Sequence, residues 1–443
     1  MRYYVRSFPT VFTKASGELL WDEDSKSYID FFSGAGALNY GHNNPLLKDK
    51  LVEYILSDGV VHGLDMATSA KRDFIDAFER IILRPRNMSY RLQFTGPTGS
   101  NAVEAALKLA RKVKGRSNII SFTNGFHGVS IGALAATGNE HFRRAAGVSL
   151  GDVTFMPFDG YFGANIDTIG YLERMLEDRS SGVDLPAAAI VETIQGEGGV
   201  NVASRKWLRD LERCCRNHDM LLIVDEIQVG CGRTGHFFSF EEAGIQPDII
   251  TMSKSLSGYG LPLSLVLLRP ALDRWHPGEH NGTFRGNNLA FVAGKCALLN
   301  FWRDDGLVDT VARKEAVIDQ WFREFTGKNP RLGLKMRGRG LIQGLSLATI
   351  EGLDVAALRK TRDINLHRNV ARRAFGNGLI IETAGADDNV LKVLPSLFIE
   401  EKMLRKGLTI LEECIKQEIA AASLERTSRQ SATSKALPEP MHG

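Results

Sequence analysis

The amino-acid sequence predicts an α/β fold built on a mostly parallel sheet. The first observation is a set of short runs in which consecutive residues are apolar, as in parallel strands that are covered on both faces. These runs are Ile119–Phe122, Ala187–Val191, Leu221–Val224, Ile249–Thr251 and Leu263–Leu268. The second observation is that helical patterns, notably Asn101–Val113 and Lys206–Asn217, lie between the runs. This alternation indicates a parallel sheet with helices on its faces, within roughly residues 50–290.

The length of 443 residues exceeds one ordinary domain, so we expect two closely packed domains. Beyond the large domain at 50–290, residues 291–422 alternate helical stretches with Gly-punctuated strand candidates, which indicates a smaller α+β domain. Residues 1–49, with a strand pair around GELLWDEDSKSYIDFF, are expected to join that smaller domain. The last helix is expected to end at Ala422. Residues 423–443 are polar and without an apolar period, which predicts a disordered tail.

The composition is that of an ordinary globular protein: 43% of the residues are apolar, 24% are charged, and the net charge is +3. This balance gives no reason to expect binding to nucleic acid or to an anionic membrane surface. The start of the chain lacks the apolar core of a signal peptide, and no apolar run approaches a membrane span. The five cysteines are scattered and lack metal-binding spacing, so we expect a cytoplasmic protein without a metal site.

The first motif that suggests chemistry is GPTGSNAVEAALKLARK, in which a Gly-rich turn opens into an amphipathic helix. Asn101 and Glu104 stand at capping-box spacing, so Asn101 is the expected helix cap. Free backbone N–H groups around Gly99 and Ser100, together with the helix dipole, would suit a phosphate. Taken alone, the motif is more simply interpreted as an ordinary strand-to-helix turn.

Two further motifs place a polar residue directly after an apolar strand. Asp225 ends LLIVD, where open α/β sheets bind ligands, and its carboxylate could hold a protonated ring nitrogen. Lys254 follows DIITMS and is the only charged residue from Thr251 to Leu268. Desolvation there would lower the pKa of Lys254 and suit it to Schiff-base formation. The simpler alternatives are a helix cap or a loop salt bridge for Asp225 and a surface position for Lys254.

The fourth motif, TNGFHGVS, sets Phe126 and His127 between two glycines after a strand. Phe126 could stack on a flat ring, although alone it is more simply a core aromatic. The order and spacing of the four motifs resemble the class III (omega) aminotransferases of PLP fold type I, the aspartate aminotransferase-like α/β fold. The resemblance extends from about Val5 to Ala420. It implies pyridoxal 5′-phosphate as the cofactor.

The resemblance also implies a role for each matching residue. Lys254 would hold the cofactor as a Schiff base and move the proton during catalysis. Asp225 would pair with the nitrogen of the pyridine ring, and Gln228 would approach the phenolic oxygen of the cofactor.

The remaining cofactor-binding residues follow from the same resemblance. Gly99 and Ser100 match the phosphate-binding turn, and Phe126 matches the aromatic that stacks on the ring, with His127 next to it. Thr283, in NGTFRGNN, matches a threonine that reaches the phosphate of a neighbouring subunit's cofactor. The resemblance therefore implies a homo-oligomer, at least a dimer, with sites at the interface.

The stretch ETIQGEGG supplies a candidate substrate residue, Glu197. In family members that use two substrates, the matching glutamate pairs with a cationic residue, usually an arginine, while one substrate is bound. Lys392 occupies that arginine's position here, and a lysine cannot offer a carboxylate the same bidentate fork. Val129 stands where 4-aminobutyrate aminotransferases have an arginine for a distal carboxylate, so a 4-aminobutyrate substrate is disfavoured.

Within the family, the chain most resembles the branch that makes L-2,4-diaminobutyrate for ectoine synthesis. Matching stretches include YVRSFPTVFTKA, GALNYGHNNP, HGLDMATSAKRDF and CGRTGHFFSFEEAGIQPDI. That branch tends to carry lysine at the position of Lys392. The reaction implied is transfer of the amino group of L-glutamate to L-aspartate 4-semialdehyde, which leaves 2-oxoglutarate.

Several alternatives remain open from the sequence. Diaminobutyrate also feeds siderophore and peptide pathways, and another omega-aminotransferase of the ornithine type is a second candidate. An aminomutase of the glutamate-1-semialdehyde type would not need 2-oxoglutarate, and Glu197 argues against it. A non-enzymatic protein that binds the cofactor would usually lack Lys254 or carry a DNA-binding domain, and neither applies to this sequence.

Overall fold

The computed structural model describes residues 7–350, 353–354 and 365–434 of the chain. The strands are β1 Phe12–Ser16, β2 Leu19–Asp22, β3 Ser27–Asp30, β4 Arg91–Phe94, β5 Ile119–Phe122, β6 Val153–Met156, β7 Ala188–Val191, β8 Ile194–Gln195, β9 Asn201–Val202, β10 Leu221–Asp225, β11 Ile249–Met252, β12 Leu265–Leu268, β13 Leu332–Arg339, β14 Ile342–Ile350, β15 Leu353–Asp354, β16 Leu379–Ile380, β17 Glu382–Ala384 and β18 Val390–Val393. The longer helices are α1 Pro45–Leu56, α2 Ser69–Phe78, α3 Gly99–Lys114, α4 Thr168–Glu177, α5 Arg205–Asn217, α6 Asn288–Phe301, α7 Gly306–Lys328, α8 Leu366–Gly376 and α9 Glu401–Ser434.

The largest sheet has the strand order β4-β12-β11-β10-β7-β5-β6. Strands β6, β5, β7, β10 and β11 pair in parallel, whereas β12 runs antiparallel to both β11 and β4. Every residue of β5, β7, β10, β11 and β12 is buried, as their unbroken apolar runs predict. The predicted α/β fold class is confirmed.

Helix α3 covers one face of this sheet because its inward side consists mainly of small apolar residues. It contacts β7, β10, β11 and β12, and its buried positions include Ala102, Ala105, Ala106 and Ala110. Small side chains allow the helix to approach the strands closely. The close approach fixes where the first turn of α3 lies, at the carboxyl end of the parallel strands.

The register of the sheet brings two predicted site residues to the same edge. Asp225 at the end of β10 is the Cα partner of Thr251 in β11, and Lys254 follows two residues after β11 ends at Met252. The carboxyl ends of neighbouring parallel strands meet at one edge, where open α/β sheets bind ligands. Asp225 and Lys254 therefore open onto the same cleft.

A second, antiparallel sheet has the order β13-β14-β18-β17, with β15 paired to β14. Its β17–β18 hairpin sets Glu382 directly opposite Lys392, and the other edge of β18 pairs Lys392 with Gly344 of β14. A third sheet, β1-β2-β3-β16, joins the N-terminal strands to Leu379–Ile380. The N-terminal segment thus packs with the C-terminal part of the chain. The three boundaries between the four predicted segments stay predictions.

The last helix is longer than the apolar pattern predicts. Helix α9 continues to Ser434 instead of ending near Ala422. The added stretch, SLERTSRQSATS, contains neither glycine nor proline, and the next proline is Pro438, so no helix breaker interrupts the backbone hydrogen bonds. Residues 435–443 of the predicted tail lie outside the described residues.

Two broader features concern the part of the chain that the structure describes. None of its helices is both long and apolar enough to cross a lipid bilayer. It also holds no cluster of three or more His, Cys, Asp or Glu residues in an arrangement suited to a metal ion.

Candidate active site

A cavity at the carboxyl edge of the large sheet gathers most of the predicted site residues. Its lining consists of Gly99, Ser100, Phe126, His127, Gly128, Glu192, Glu197, Asp225, Ile227, Gln228 and Lys254. Two predicted residues do not line it. Thr283 is exposed on the surface, and Lys392 is fully buried with its ammonium against Glu197.

The first turn of α3 forms one wall of the cavity. The helix begins at Gly99, and its N-cap is Thr98, whose side chain accepts from the N–H of Asn101. The expectation that Asn101 caps the helix was therefore wrong, because the extended backbone that a cap requires occurs at Thr98 (φ −131°, ψ 154°). Gly99 and Ser100 consequently lie in the first turn, where N–H groups lack helical partners and attract anions.

Glu104 is not part of a capping box. Its carboxylate accepts from the Ser130 hydroxyl at 2.7 Å and from the backbone N–H groups of Gly132 and Ala133 at 2.9 and 3.1 Å. These bonds tie α3 to the segment that follows the FHG motif. Glu104 therefore fixes two walls of the cavity relative to each other.

Glycine is required at position 128 by the same two walls. Gly128 has φ +123°, and a Cβ built there would lie 2.1 Å from the Ser100 Oγ. Any side chain would thus collide with the first turn of α3 and strain the backbone. The glycine lets the FHG segment pass directly beside the phosphate-suited turn.

Asp225 and His127 form a buried pair at the floor of the cavity. The Asp225 Oδ2 lies 2.7 Å from the His127 Nδ1, and both residues are 3% exposed. Burial by itself lowers the pKa of His127, but the hydrogen bond and the charge of Asp225, with a further contribution from Glu192, raise that pKa overall. The histidine therefore orients the carboxylate and leaves its second oxygen to a backbone N–H, that of Ile227 at 3.1 Å.

Lys254 is held in an unfavourable backbone conformation. Its φ is +48°, in the left-handed region that a non-glycine residue rarely adopts, at a typical cost of about 1–2 kcal/mol. Burial lowers the pKa of Lys254; the charge of Glu197 opposes this effect and the charge of Lys392 reinforces it. A lowered pKa increases the fraction of neutral, nucleophilic amine at neutral pH.

Glu192 supports the segment that carries Phe126. Its Oε2 accepts from the Phe126 N–H at 2.9 Å, and the Phe126 ring packs edge-on against Phe142 with centroids 5.5 Å apart. Burial, opposed by the charge of His127, raises the pKa of Glu192 to about 8. The aromatic wall is therefore fixed by its backbone and by its ring.

Glu197 lines the cavity from the loop between β8 and β9, and Gln228 lines it from the segment that follows β10. The Gln228 Nε2 donates to the Glu197 Oε1 at 2.9 Å and to the Ala35 carbonyl at 3.0 Å. Its Oε1 is buried and has no hydrogen-bond partner within the described residues. Gln228 thus lines the cavity and carries a buried acceptor that no described residue uses.

Two carboxylates contact the buried Lys392 ammonium. The Nζ lies 2.7 Å from the Glu197 Oε1 and 2.9 Å from the Glu382 Oε1. Burial alone would lower the pKa of Lys392, but the two carboxylates raise it well above the usual value. Burial likewise raises the pKa of Glu197, yet Lys392 and Lys254 outweigh it and lower that pKa to about 2.

Sequence reasoning did not single out Glu192, Ile227, Gly128 or Glu382. Gly128 and Ile227 adjoin motif residues, so their proximity to the cavity could have been inferred from the motifs themselves. Glu382 gives no such signal, because only the register of β17 on β18 brings it to Lys392. Val129, at the position where 4-aminobutyrate aminotransferases have an arginine, is exposed and lies next to Gly128 of the cavity lining.

Comparisons with known proteins agree with this geometry. The aminotransferase class-III family matches residues 2–415. A Bordetella parapertussis protein named diaminobutyrate–2-oxoglutarate transaminase is 63% identical over 415 residues, covering 94% of this chain and 92% of that protein. A Halomonas elongata protein of the same name is 53% identical over 420 residues, covering 94% and 96%.

Among solved structures, the ornithine aminotransferase of Toxoplasma gondii, whose active site shows partial occupancy of PLP, matches with a TM-score of 0.78. It is 27% identical, and the match covers 95% of this chain and 92% of that one. The matches extend over nearly the whole chain and include the buried lysine site. The chain belongs to the class III aminotransferases, enzymes that depend on pyridoxal 5′-phosphate.

Proposed function

We propose that this enzyme transfers the amino group of L-glutamate to the aldehyde carbon of L-aspartate 4-semialdehyde. The two substrates exchange an amino group for an oxo group, so the products are 2-oxoglutarate and L-2,4-diaminobutyrate. The observation that carries the chemistry is Lys254, which shares one cavity with the Asp225–His127 pair and the start of α3. The relatives named diaminobutyrate–2-oxoglutarate transaminase support the choice of substrates.

The residues of the cavity fit pyridoxal phosphate. The first turn of α3 suits the phosphate dianion, and the buried Asp225 carboxylate suits the protonated ring nitrogen. The unused Gln228 Oε1 suits the phenolic hydroxyl, since that oxygen otherwise remains buried without a donor within the described residues. Phe126 and Ile227 give apolar walls for the flat ring.

Each of these residues then has a defined task. We assign the phosphate to Gly99 and Ser100, the ring face to Phe126, and the ring nitrogen to Asp225. His127 keeps the Asp225 carboxylate oriented through its 2.7 Å hydrogen bond. When bound, the cofactor supplies an electron sink that stabilises the carbanion left after a proton is removed.

Lys254 attaches the cofactor and transfers the proton. Its Nζ, freed when the amino substrate binds, accepts the proton from the substrate carbon that carries the amino group. The lowered pKa of Lys254 supports this task, because only the neutral amine accepts a proton. The left-handed backbone at Lys254 fixes the direction from which the side chain enters the cavity.

Glu197 and Lys392, together called the gate here, are proposed to distinguish the two substrates. Glutamate reacts at a carbon that bears a carboxylate, and this carboxylate would replace Glu197 beside the Lys392 ammonium. The semialdehyde reacts at a carbon without a carboxylate, so the 2.7 Å Glu197–Lys392 pair would stay closed. The exposed Val129 offers no charge for the distal carboxylate of 4-aminobutyrate.

We also propose that the functional unit is at least a homodimer. Thr283 is exposed, and next to it lies an apolar surface of Val60, Val61, Met66 and Phe284, each between 49% and 65% exposed. The segments are joined by the Gly63 N–H, which donates to the Gly286 carbonyl at 2.8 Å. A second copy would cover this surface and receive Thr283 at its phosphate site. Thr283→Ala is then expected to weaken cofactor binding without altering the protein's mass in light scattering.

The assay that tests the proposed reaction offers the purified enzyme three amino donors with 2-oxoglutarate. Diaminobutyrate is expected to exceed ornithine and 4-aminobutyrate in kcat/KM by at least about tenfold, a difference of about 1.4 kcal/mol in transition-state binding. A preference for ornithine would replace the proposed substrate with that of the Toxoplasma gondii enzyme. Turnover of a single substrate without 2-oxoglutarate would indicate an aminomutase.

The place of the reaction in metabolism is part of the same proposal. We assign it to the first step of ectoine synthesis, with supply of diaminobutyrate to a siderophore or peptide pathway as the alternative. We also assign it to the cytoplasm, because all five cysteines are buried and unpaired, as thiols are in a reducing compartment. Deletion of the gene should abolish ectoine accumulation under salt stress if the first assignment is right.

A further inference from the structure

The gate lysine has a second carboxylate partner that the proposed exchange of substrates does not use. Glu382 lies 2.9 Å from the Lys392 Nζ and is its direct Cα partner across the β17–β18 hairpin. Adjacent side chains on paired strands face the same side and stay in contact as long as the strands remain paired. The Glu382–Lys392 contact is therefore built into the sheet.

Glu197 reaches the same ammonium from a different part of the chain. It lines the cavity, it accepts from Gln228, and it stands on the loop between β8 and β9. Glu382 does not line the cavity. Of the two carboxylates, Glu197 is thus the one that an incoming carboxylate can replace, and Glu382 is the one that stays.

A lysine needs such a permanent partner in this position more than an arginine would. The Lys392 side chain is 0% exposed, and burial lowers the pKa of an ammonium. An arginine stays protonated in proteins even when it is desolvated, and its planar fork is held rigidly. A lysine has a flexible stem, so without a fixed anchor its ammonium would follow Glu197 or lose its proton.

We propose that Glu382 is a positioning residue of the gate, which holds the Lys392 ammonium charged and in place while Glu197 leaves to admit the substrate carboxylate. This inference rests on the proposed function, since it requires that Glu197 and Lys392 discriminate between two substrates. Glu382 also shares the ammonium with Glu197 and so weakens the closed pair. The cost of opening is lower because the lysine never becomes a bare buried cation.

The central test compares the two half-reactions in Glu382→Gln at pH 8, which is above the value of about 7 to which burial raises the pKa of Glu382. The substitution keeps the size of the side chain and removes its charge. Holoenzyme is mixed in a stopped-flow instrument with L-glutamate alone or with diaminobutyrate alone, and the absorbance of the bound cofactor is followed. We expect the glutamate half-reaction to slow by at least about tenfold. The diaminobutyrate half-reaction, in which the gate stays closed, should change several times less.

A second substitution separates positioning from a general structural defect. Because an arginine needs no fixed carboxylate to stay charged, Lys392→Arg should rescue Glu382→Gln. The glutamate half-reaction of the double variant is expected within about threefold of Lys392→Arg alone. If Glu382→Gln slows the glutamate half-reaction equally whether residue 392 is lysine or arginine, Glu382 does not act through Lys392.

A buried carboxylate elsewhere provides the matched control. Glu418 is 8% exposed and pairs with Arg373, and neither residue lines the cavity or contacts Lys392. Glu418→Gln removes a comparable charge, so a merely structural effect would slow both half-reactions alike. A loss confined to glutamate in Glu382→Gln and absent from Glu418→Gln supports the positioning role.

Binding of glutarate, a dicarboxylate without an amino group, gives a readout that does not depend on turnover. Calorimetry should show an affinity at least about fivefold weaker for Glu382→Gln than for the wild-type holoenzyme, and no such change for Glu418→Gln. Unchanged or tighter binding would overturn the inference, since Glu382 would then merely repel the substrate. Failure of the wild-type enzyme to react with glutamate would instead refute the proposed function, and the inference with it.

Discussion

Replacement of Lys392 by methionine tests how strongly the folded protein depends on the ammonium between Glu197 and Glu382. Methionine has a similar length and leaves little cavity, so the main effect is electrostatic. The two carboxylates, which lie 2.7 and 2.9 Å from the Nζ, lose their shared cation. Breaking a buried ion pair in this way typically costs about 3–5 kcal/mol.

The pH dependence of that cost follows from the proton that the carboxylates can take up instead. Already in the wild-type protein, burial raises the pKa of Glu382 from 4.5 to about 7, although Lys392 opposes the shift. In the unfolded chain a glutamate has its ordinary pKa, so holding a proton costs about 1.4 kcal/mol for each pH unit above that value. The largest free-energy cost of keeping one carboxylate protonated in the folded state is therefore about 5 kcal/mol at pH 8 and about 1.4 kcal/mol at pH 5.5.

The sign of the effect follows from the loss of the Lys392 charge, which lowers the pKa of both Glu382 and Glu197 in the wild-type protein. Without that charge both pKa values rise, so the folded variant binds protons more tightly than the folded wild type does, and its stability falls further as the pH rises above about 4.5. The deficit of Lys392→Met relative to the wild type should hence be about 3–5 kcal/mol at pH 8 and should shrink by more than half at pH 5.5.

Urea unfolding of the cofactor-saturated proteins, followed by tryptophan fluorescence, measures this difference at both pH values. Lys416→Met serves as the control, because Lys416 forms a partly exposed pair with Glu412 on α9 and should cost less than about 1 kcal/mol. A deficit that is the same at pH 5.5 and pH 8 would refute the electrostatic account. A deficit below 1 kcal/mol at pH 8 would show that the carboxylates find another partner.

Three further predictions concern the site. Lys254→Ala should lose the absorbance of the covalently held cofactor and lower kcat by at least about 10³-fold; retention of both would exclude Lys254 as the attachment point. Gly128→Ala should weaken cofactor binding at least about tenfold, because its Cβ would lie 2.1 Å from the Ser100 Oγ. The control is Gly147→Ala, which is also at positive φ but has open space around it and should bind the cofactor normally. Equal cofactor-titration curves for the two variants would argue against this contact. Lys392→Ala should raise the KM for glutamate and 2-oxoglutarate more than the KM for the semialdehyde, and an equal rise for all three would remove Lys392 as a selective carboxylate contact.

The sequence predicted the central strands well because their signal is burial on both faces. The predicted run Ile119–Phe122 agrees with β5, and Leu221–Val224 is one residue short of β10. The strands β4 (RLQF) and β6 (VTFM), which are only partly buried, were not predicted, because the polar residues at these edges of the sheet interrupt the apolar run. The antiparallel direction of β12 could not be predicted either, because an apolar run has the same composition in either direction.

The candidate site divides in the same way between local and long-range information. That Asp225 and Lys254 share one cavity could be predicted because Asp225 ends its strand and Lys254 lies two residues after the neighbouring strand. The order of the motifs led to Gly99, Ser100, Phe126 and His127, which line the same cavity. The contact of Glu382 with Lys392 could not be predicted, because it depends on pairing across a hairpin whose register a short strand does not encode. The cap of α3 was misplaced by three residues because both Thr98 and Asn101 are good caps, and only the backbone angles decide between them.

The β17–β18 hairpin has a consequence for enzyme engineering. It carries both Glu382 and Lys392, and its Gly385 N–H donates at 2.9 Å to the backbone carbonyl of Glu197. Lys392 of the proposed gate and its proposed anchor Glu382 therefore lie on one continuous stretch, residues 382–392, and we predict that this stretch can be exchanged as a unit between aminotransferases of this fold. In a relative that carries arginine at the position of Lys392, replacement of that arginine by lysine alone would leave the lysine without the carboxylate of Glu382. Substrate preference should therefore transfer only when the whole hairpin is moved.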